Sequence, residues 1–238
     1  MGLADPHCHT TASDGMVSPA QLVADALTVG LDLIAITDHD TMANAQEVFE
    51  RGAEAGLAVV KGQEVTTRWP AQTHVLGWFL EEPVRSRMSV EDTVAAIQDQ
   101  GGLAVLPHPF MPTYFASCQP GMLERLIASR RLDAVEVVHT APITAARRRL
   151  LRSFYEEHVE QLGAEVGGSD SHFGRYDLGV VVTEFPGSTQ DDFRAAVRER
   201  TTRPRVMGRR QVPAGLVARQ QWRSLVRLPL RRLSGQLE

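Results

Sequence analysis

Residues 18–40 read Ser18-Pro-Ala-Gln-Leu-Val-Ala-Asp-Ala-Leu-Thr-Val-Gly30-Leu-Asp-Leu-Ile-Ala-Ile-Thr37-Asp-His39-Asp40, and they hold a whole structural unit in miniature. Ser18 caps a helix whose first residue is Pro19, a position where the missing N–H costs nothing. Leu22, Val23, Ala26 and Leu27 repeat at helical spacing, and Gly30 stands where a left-handed C-cap residue is expected. An apolar strand, Leu31–Thr37, follows at once and ends in Asp38-His39-Asp40. Helix, strand, then polar chemistry at the strand's C-terminal end is the grammar of an α/β fold.

The same unit recurs in both directions. Strand-like runs occupy Leu57–Val65, His74–Leu80, Leu103–Leu106, Ala134–Val138, Ala164–Gly167 and Val180–Phe185, with a short one before Asp5. Helix-like stretches lie near 42–55, after Ser89, and near 121–130, 143–162 and 189–200. The alternation predicts a mostly parallel sheet with helices outside, and periodicity alone leaves a closed barrel and an open doubly wound sheet both standing.

Composition agrees with a globular α/β chain. Of 238 residues, 43% are hydrophobic and 23% charged, which excludes disorder or coiled coil as a description of the whole. There is no stretch of about 18 apolar residues that could span a membrane. The start, MGLADPHCHT, lacks the pattern of a signal peptide, and Pro6 replaces the Ser or Thr of a myristoylation signal. These features predict a soluble, cytoplasmic protein. Cys8 and Cys118 are too few for a disulfide framework or a thiolate zinc cluster.

Charge is unevenly spread. Residues 203–238 hold nine arginines and one acid, Glu238, for +8; the remaining 16 basic and 28 acidic residues leave 1–202 at −12. An acidic body that handles anionic substrates needs bound cations. The organisation read here is a barrel over 1–205 and an Arg-rich extension over 206–238. In the extension Trp222, Leu225, Val226 and Leu233 interleave with Arg219, Arg223, Arg227 and Arg231, and Pro213 and Pro229 interrupt any long helix. It suits either nucleic acid or another anionic surface, or, more plainly, packing across the acidic body or onto a second subunit.

Seven of the eight histidines fall near strand ends: His7, His9, His39, His74, His108, His139 and His172. Only His158 lies in a helical stretch. Asp14, Glu64 and Asp170 accompany them. In His7-x-His9 and Asp170-x-His172, strand alternation puts both side chains on one face and turns Cys8 and Ser171 away. Imidazoles with carboxylates and no thiolate suit Mn, Zn or Fe.

His7-Cys8-His9, Ser13-Asp14-Gly15, Thr37-Asp38-His39-Asp40, Gly62-Gln63-Glu64, His74-Val75-Leu76-Gly77, Pro107-His108-Pro109 and Gly168-Ser169-Asp170-Ser171-His172 together resemble the ordered motifs of the PHP (polymerase and histidinol phosphatase) superfamily. The resemblance runs over residues 1 to about 185. It implies a distorted (β/α)7 TIM-like barrel with two or three divalent metal ions, acting on phosphoesters. By position it implies a first metal on His7, His9, Glu64 and Asp170, and a second on Asp14, His39 and His172. A third would lie on Glu64, His74 and His108, while His139 matches a ligand in some branches only. Asp14 in place of a histidine is closer to nucleotide and oligonucleotide phosphoesterases than to histidinol phosphatases. Only 33 residues separate His74 from His108, where the nucleotide phosphatases carry a longer insertion, so an open pocket is expected.

The implied reaction is in-line attack on phosphorus by a hydroxide bridging the metals. Three further residues are candidates for catalysis: His139 as proton donor to the leaving oxygen, Arg175 as phosphate clamp, and Asp38 as a support for a ligand. Asp40 is expected to cap the next helix. Trp69, Phe110, Tyr114 and Phe115 could stack a nucleobase, and Trp78 belongs to the core. The other functions weighed are a histidinol-phosphatase-like activity and a non-catalytic, metal-containing regulatory or nucleic-acid-binding module.

Overall fold

A computed structural model describes residues 1–70, 72–113 and 115–227. Tyr114, Pro229, Arg231 and Leu233 lie outside the described residues, as does the side chain of Arg227. The described strands are β1 (Gly2–Cys8), β2 (Leu33–Ile36), β3 (Ala58–Thr66), β4 (His74–Trp78), β5 (Leu103–Leu106), β6 (Ala134–His139), β7 (Ala164–Gly168), β8 (Val181–Phe185) and β9 (Arg203–Val206). The helices are α1 (Pro19–Thr28), α2 (Ala45–Ala55), α3 (Val90–Asp99), α4 (Pro120–Ser129), α5 (Ala145–Glu157), α6 (Val159–Leu162), α7 (Gln190–Glu199) and α8 (Ala214–Trp222). Ser18 and Ser89 cap α1 and α3 through their hydroxyls. The stretch expected as one helix over 143–162 is two, broken at His158.

The strands form one sheet in the order β7-β6-β5-β4-β3-β2-β1-β8-β9, curved into a nearly closed barrel. The expectation of a mostly parallel sheet is corrected. β1–β2, β2–β3, β5–β6 and β6–β7 pair parallel, but β3–β4, β4–β5, β1–β8 and β8–β9 pair antiparallel. The short connection from Thr66 to His74 leaves no room for a crossover helix, so β4 folds back as a hairpin. That reversal matters for the site, because it brings the N-terminal end of β4 to the rim where the parallel strands end.

The seam between β7 and β1 is closed partly by side chains. His9 N donates to Ser171 O (2.9 Å) and Ser171 N to His7 O (3.1 Å). Thr183 Oγ1 of β8 accepts from Gly167 N and donates to its carbonyl, tying β7 to β8 as well, and buried Asp5 of β1 accepts from the amides of Ser169 and Gly179.

Alternate strand residues face two ways. Ala4, Leu33, Ala35, Val60, Leu76, Trp78, Val105 and Val166 pack in one cluster, to which α7 adds Phe193. Val135 and Val137 pack outward on α3, α4 and α5, and Ile34, Ile36 and Val59 pack with residues of α1 and α2. Trp78 is fully buried as expected, its indole N–H bonded to Pro6 O. Among the described residues, no helix is long and apolar enough to cross a membrane.

Candidate metal centre

Glu64, near the end of β3, is fully buried and ringed by five imidazoles from four separate segments. Its Oε2 lies 3.3 Å from His7 Nε2, 3.3 Å from His9 Nε2 and 3.1 Å from His39 Nδ1. Its Oε1 lies 2.7 Å from His74 Nδ1 and 3.1 Å from His108 Nε2. Asp170 Oδ1 comes within 3.4 Å of His7 and 3.1 Å of His9, and Asp14 Oδ1 stands 3.0 Å from His172 Nε2 and 3.8 Å from His39 Nε2. Three groups of donor atoms converge: His7, His9, Glu64 and Asp170; His9, Asp14, His39 and His172; and His39, Glu64 and His74.

These donors fit divalent cations for a reason visible in their bonding. His9 Nδ1 and Nε2, His74 Nδ1 and Asp14 Oδ1 are buried with no hydrogen-bond partner, despite lying so close to opposite groups. Within each group the donor atoms lie within 4.8 Å of one another. The outer ring nitrogens are anchored as ligands require: His7 Nδ1 donates to Glu136 Oε1 (2.9 Å), and His172 Nδ1 to the carbonyl of Asp170 (2.9 Å). Each anchor fixes the tautomer and leaves the Nε2 lone pair for the centre.

The electrostatics point the same way. Burial opposes ionisation of Glu64 and Asp170, but the surrounding imidazoles hold both carboxyls well below their usual range. Burial likewise opposes charge on His9, yet Asp170 and Glu64 outweigh it and hold that imidazole up to about 10. His39 goes the other way, to about 4, because burial outweighs the pull of Glu64 and Asp14. The centre keeps its carboxylates ionised and favours added positive charge. Neither thiol is suited to join it, since burial pushes Cys118 up to about 12 and Cys8 well above its ordinary value.

Local structure explains the placement. An extra residue in β1 between Asp5 and Cys8 shifts its register against β2, so His7 and His9 face inward while Cys8 packs outward. Gly168 leaves room for Glu136: a Cβ there would lie 2.3 Å from Glu136 Oε1 and 2.8 Å from His7 Cβ. Glu136 also accepts from His108 N, so one buried carboxylate positions two candidate ligands. Glu136 belongs to none of the motifs in the sequence; its one signal there is that it is an acid within the apolar run Ala134–Val138.

The remaining candidates fall elsewhere. Asp38 accepts from Thr10 N, Thr10 Oγ1 and Ser13 Oγ, bracing the loop between His9 and Asp14 and not an imidazole. Asp40 is not the helix cap: Asn44 occupies that place, and Asp40 Oδ1 accepts from Thr66 N. Arg175 lies over the ring of Tyr176 and is not among the residues lining the central cavity. His139 is buried and burial pushes it down to about 4; the register of β6 shifts just before it, and it lines a different cavity. Phe110 is fully buried against Phe154, so it serves the core and cannot stack a base. Trp69 and Phe115 are exposed, with ring centroids 5.8 Å apart.

The central cavity is about 500 Å³, and the expected open pocket has a wall on one side. Val212, Val217, Gln220, Gln221 and Ser224 of the C-terminal segment line it. Gln220 Nε2 donates to Asp14 Oδ2 (2.9 Å), and Arg223 to the carbonyls of Ser13 and Thr11. Arg210 also lines the cavity, bonded to the Asp170 carbonyl and to Asp177 Oδ2, both at 2.9 Å.

The PHP domain matches residues 5–201. The chain belongs to the PHP family. An uncharacterised protein of Methanocaldococcus jannaschii is 34% identical over 145 residues, 56% of this chain and 80% of the relative. A 5'-3' exoribonuclease of Haemophilus influenzae is 40% identical over 74 residues, 31% of this chain and 27% of the relative, so this match spans about a quarter of that enzyme. A 3',5'-nucleoside bisphosphate phosphatase of Chromobacterium violaceum is 23% identical over 77% of this chain and 71% of its own. Among solved structures, a two-domain protein of Bacteroides vulgatus with a predicted PHP-like metal-dependent phosphoesterase superposes with a TM-score of 0.70 at 20% identity, over 86% of this chain and 64% of that one. PHP-family homologues of this chain are metal-dependent phosphoesterases, a class of hydrolase.

Proposed function

We propose that this chain is a metal-dependent phosphoesterase acting on a nucleotide, a short oligonucleotide or a small phosphorylated metabolite. The observation that carries the reading is the convergence of three donor groups through Glu64, His9 and His39, the donor atoms of each within 4.8 Å of one another and those of His9, His74 and Asp14 buried with no hydrogen-bond partner. His7, His9, Glu64 and Asp170 would hold one cation, and Asp14, His39 and His172 a second. Glu64, His74 and His108 would hold a third. Divalent ions bound there supply Lewis acidity and an acidified water, the two needs of phosphoester hydrolysis.

The chain's own groups do the positioning. Glu136 holds His7 in one tautomer, and Asp38 fixes the loop that presents His9 and Asp14. Arg210 is tethered by Asp170 and Asp177 through one nitrogen, Nη2, and among the described residues its other N–H groups have no further partner, which leaves them for a phosphate oxygen in the cavity. The named activities of the relatives support the class, since nucleoside bisphosphate phosphatase and exoribonuclease both cleave phosphoesters.

Protein loaded with Mn, Fe or Zn is expected to hydrolyse an aryl phosphate or a member of a panel of mononucleotides, nucleoside bisphosphates, short oligonucleotides and histidinol phosphate. Chelation abolishes the activity and added metal restores it. Metal-replete protein that turns over nothing in that panel contradicts the proposal.

A further inference from the structure

Two exposed aromatic side chains meet at the edge of the central cavity. Trp69 is 70% exposed and Phe115 52%, with 5.8 Å between ring centroids and 33° between ring planes. Single exposed apolar residues are ordinary on a protein surface. This pair is different, because its rings come from two loops and each loop is rooted at candidate ligands. Trp69 lies in the connection from β3 to β4, between Glu64 and His74; Phe115 lies in the connection from β5 to α4, which passes through His108.

Both loops are braced, so the rings are presented in one place. Thr67 N donates to Thr73 O (3.0 Å) and Gln72 N to Arg68 O (3.2 Å), closing the turn that carries Trp69. On the other side, Arg147 Nη1 donates to Phe110 O, Met111 O and Gln119 Oε1, and Gln119 Nε2 donates to Met111 O and Thr113 O. His74 N donates to Ala116 O (3.3 Å), which docks this loop on β4. Met111 and Ala116 line the central cavity, so Phe115 stands one residue outside that lining.

The charge beside the pair reverses the acidic character of residues 1–202. Arg68 adjoins Trp69 in sequence, and Arg87 is tied to the same loop through its N–H to Thr66 O (2.7 Å). Both side chains are exposed and have no ion pair among the described residues. Exposed ring faces flanked by guanidinium groups match unpaired nucleic acid, whose bases stack on rings while its phosphates meet cations. An apolar peptide would use the rings and leave the arginines idle, and a small phosphorylated metabolite without a base would use neither ring.

We propose that Trp69 and Phe115 form a base-stacking platform that seats a single-stranded oligonucleotide at the rim of the metal centre, with Arg68 and Arg87 on its phosphates. The platform's role in choosing an oligonucleotide substrate rests on the phosphoesterase reading; its ability to bind does not.

The test uses the metal-loaded full chain and a fluorescent tetramer of deoxyadenosine with phosphorothioate links, which resist hydrolysis, followed by anisotropy. Trp69→Ala and Phe115→Ala are each expected to weaken binding about tenfold, and Trp69→Phe to stay within about threefold. An abasic tetramer of the same length should bind about tenfold more weakly than the adenine tetramer and be indifferent to Trp69→Ala. Arg68→Ala should reduce the slope of log affinity against log salt by about 0.7, the value for one phosphate contact on a single strand. No binding, affinities within about twofold of wild type in both alanine variants, or an abasic tetramer held as tightly as the adenine one overturns the platform. Unchanged oligonucleotide affinity with self-association that the alanine variants abolish overturns it too, and gives the pair to a second copy of the chain. Oligonucleotide binding that depends on Trp69, in a protein that hydrolyses nothing, leaves the platform standing and overturns the phosphoesterase reading instead.

Discussion

The ring of groups around Glu64 and the C-terminal segment from Arg203 onward meet at one cavity, but they come from different kinds of sequence. The ring is built by short motifs at strand ends, where the backbone sets side-chain direction and alternation makes pairs such as His7 and His9 converge. The segment has no such motif. It reaches the centre through long, flexible side chains, Arg210, Gln220 and Arg223, whose targets are Asp177, Asp14 and loop carbonyls far away in sequence. On the proposed function, the contrast separates parts that would create the chemistry from parts that would shape access to it, and substitutions should divide accordingly.

The largest effect is expected at Glu64. Glu64→Gln removes the carboxylate shared by two donor groups and should lower kcat/KM on the order of a thousandfold, the scale of deleting a central electrostatic group. Metal content measured on the same sample should fall with it. His158→Leu, at the C-terminal end of α5 with its ring centroid 4.6 Å from that of Phe154, is the matched control and should stay within about twofold. Equal losses at both positions would break the assignment of the centre.

Next in size is the support of His7. Glu136→Gln leaves one acceptor oxygen where His7 Nδ1 and His108 N now use two, and should cost about 10–100-fold in metal affinity, read by competition with a chelator. Gly168→Ala should fall in the same range, because its methyl group collides with Glu136 and His7 Cβ. Wild-type metal affinity in both would show that His7 needs no orienting partner.

The smallest effects belong to the C-terminal segment. Gln220→Ala loses one hydrogen bond to Asp14 and should change kcat/KM by about fivefold or less, with metal content unchanged. A loss as large as that of Glu64→Gln would erase the distinction between centre and wall.

What was legible in the sequence follows the same line. Strand positions, the helix caps at Ser18 and Ser89, and the clustering of six histidines with Asp14, Glu64 and Asp170 all come from local pattern, and local pattern survives folding here. The features that escaped it depend on pairing over long distances. The antiparallel run of β4 depends on a connection too short for a helix, and β9 is an exposed Arg-Pro-Arg-Val edge strand with no apolar alternation to announce it. Glu136 reads as an odd residue in an apolar strand until His7, 129 residues away, is placed against it. Arg175 and Arg210 are both arginines near the motif of Asp170, one in sequence and one only in space. Sequence distance points to Arg175 as a phosphate clamp, and the path of the chain after β9 puts Arg210 on the lining of the central cavity.

Anomalous scattering from crystals of the metal-loaded protein tests the central claim most directly. The account predicts at least two peaks, each about 2.0–2.3 Å from donor atoms, one among His7, His9, Glu64 and Asp170 and another among Asp14, His39 and His172. Metal-replete crystals without a peak in either group, or with ions held only by surface acids, would contradict it.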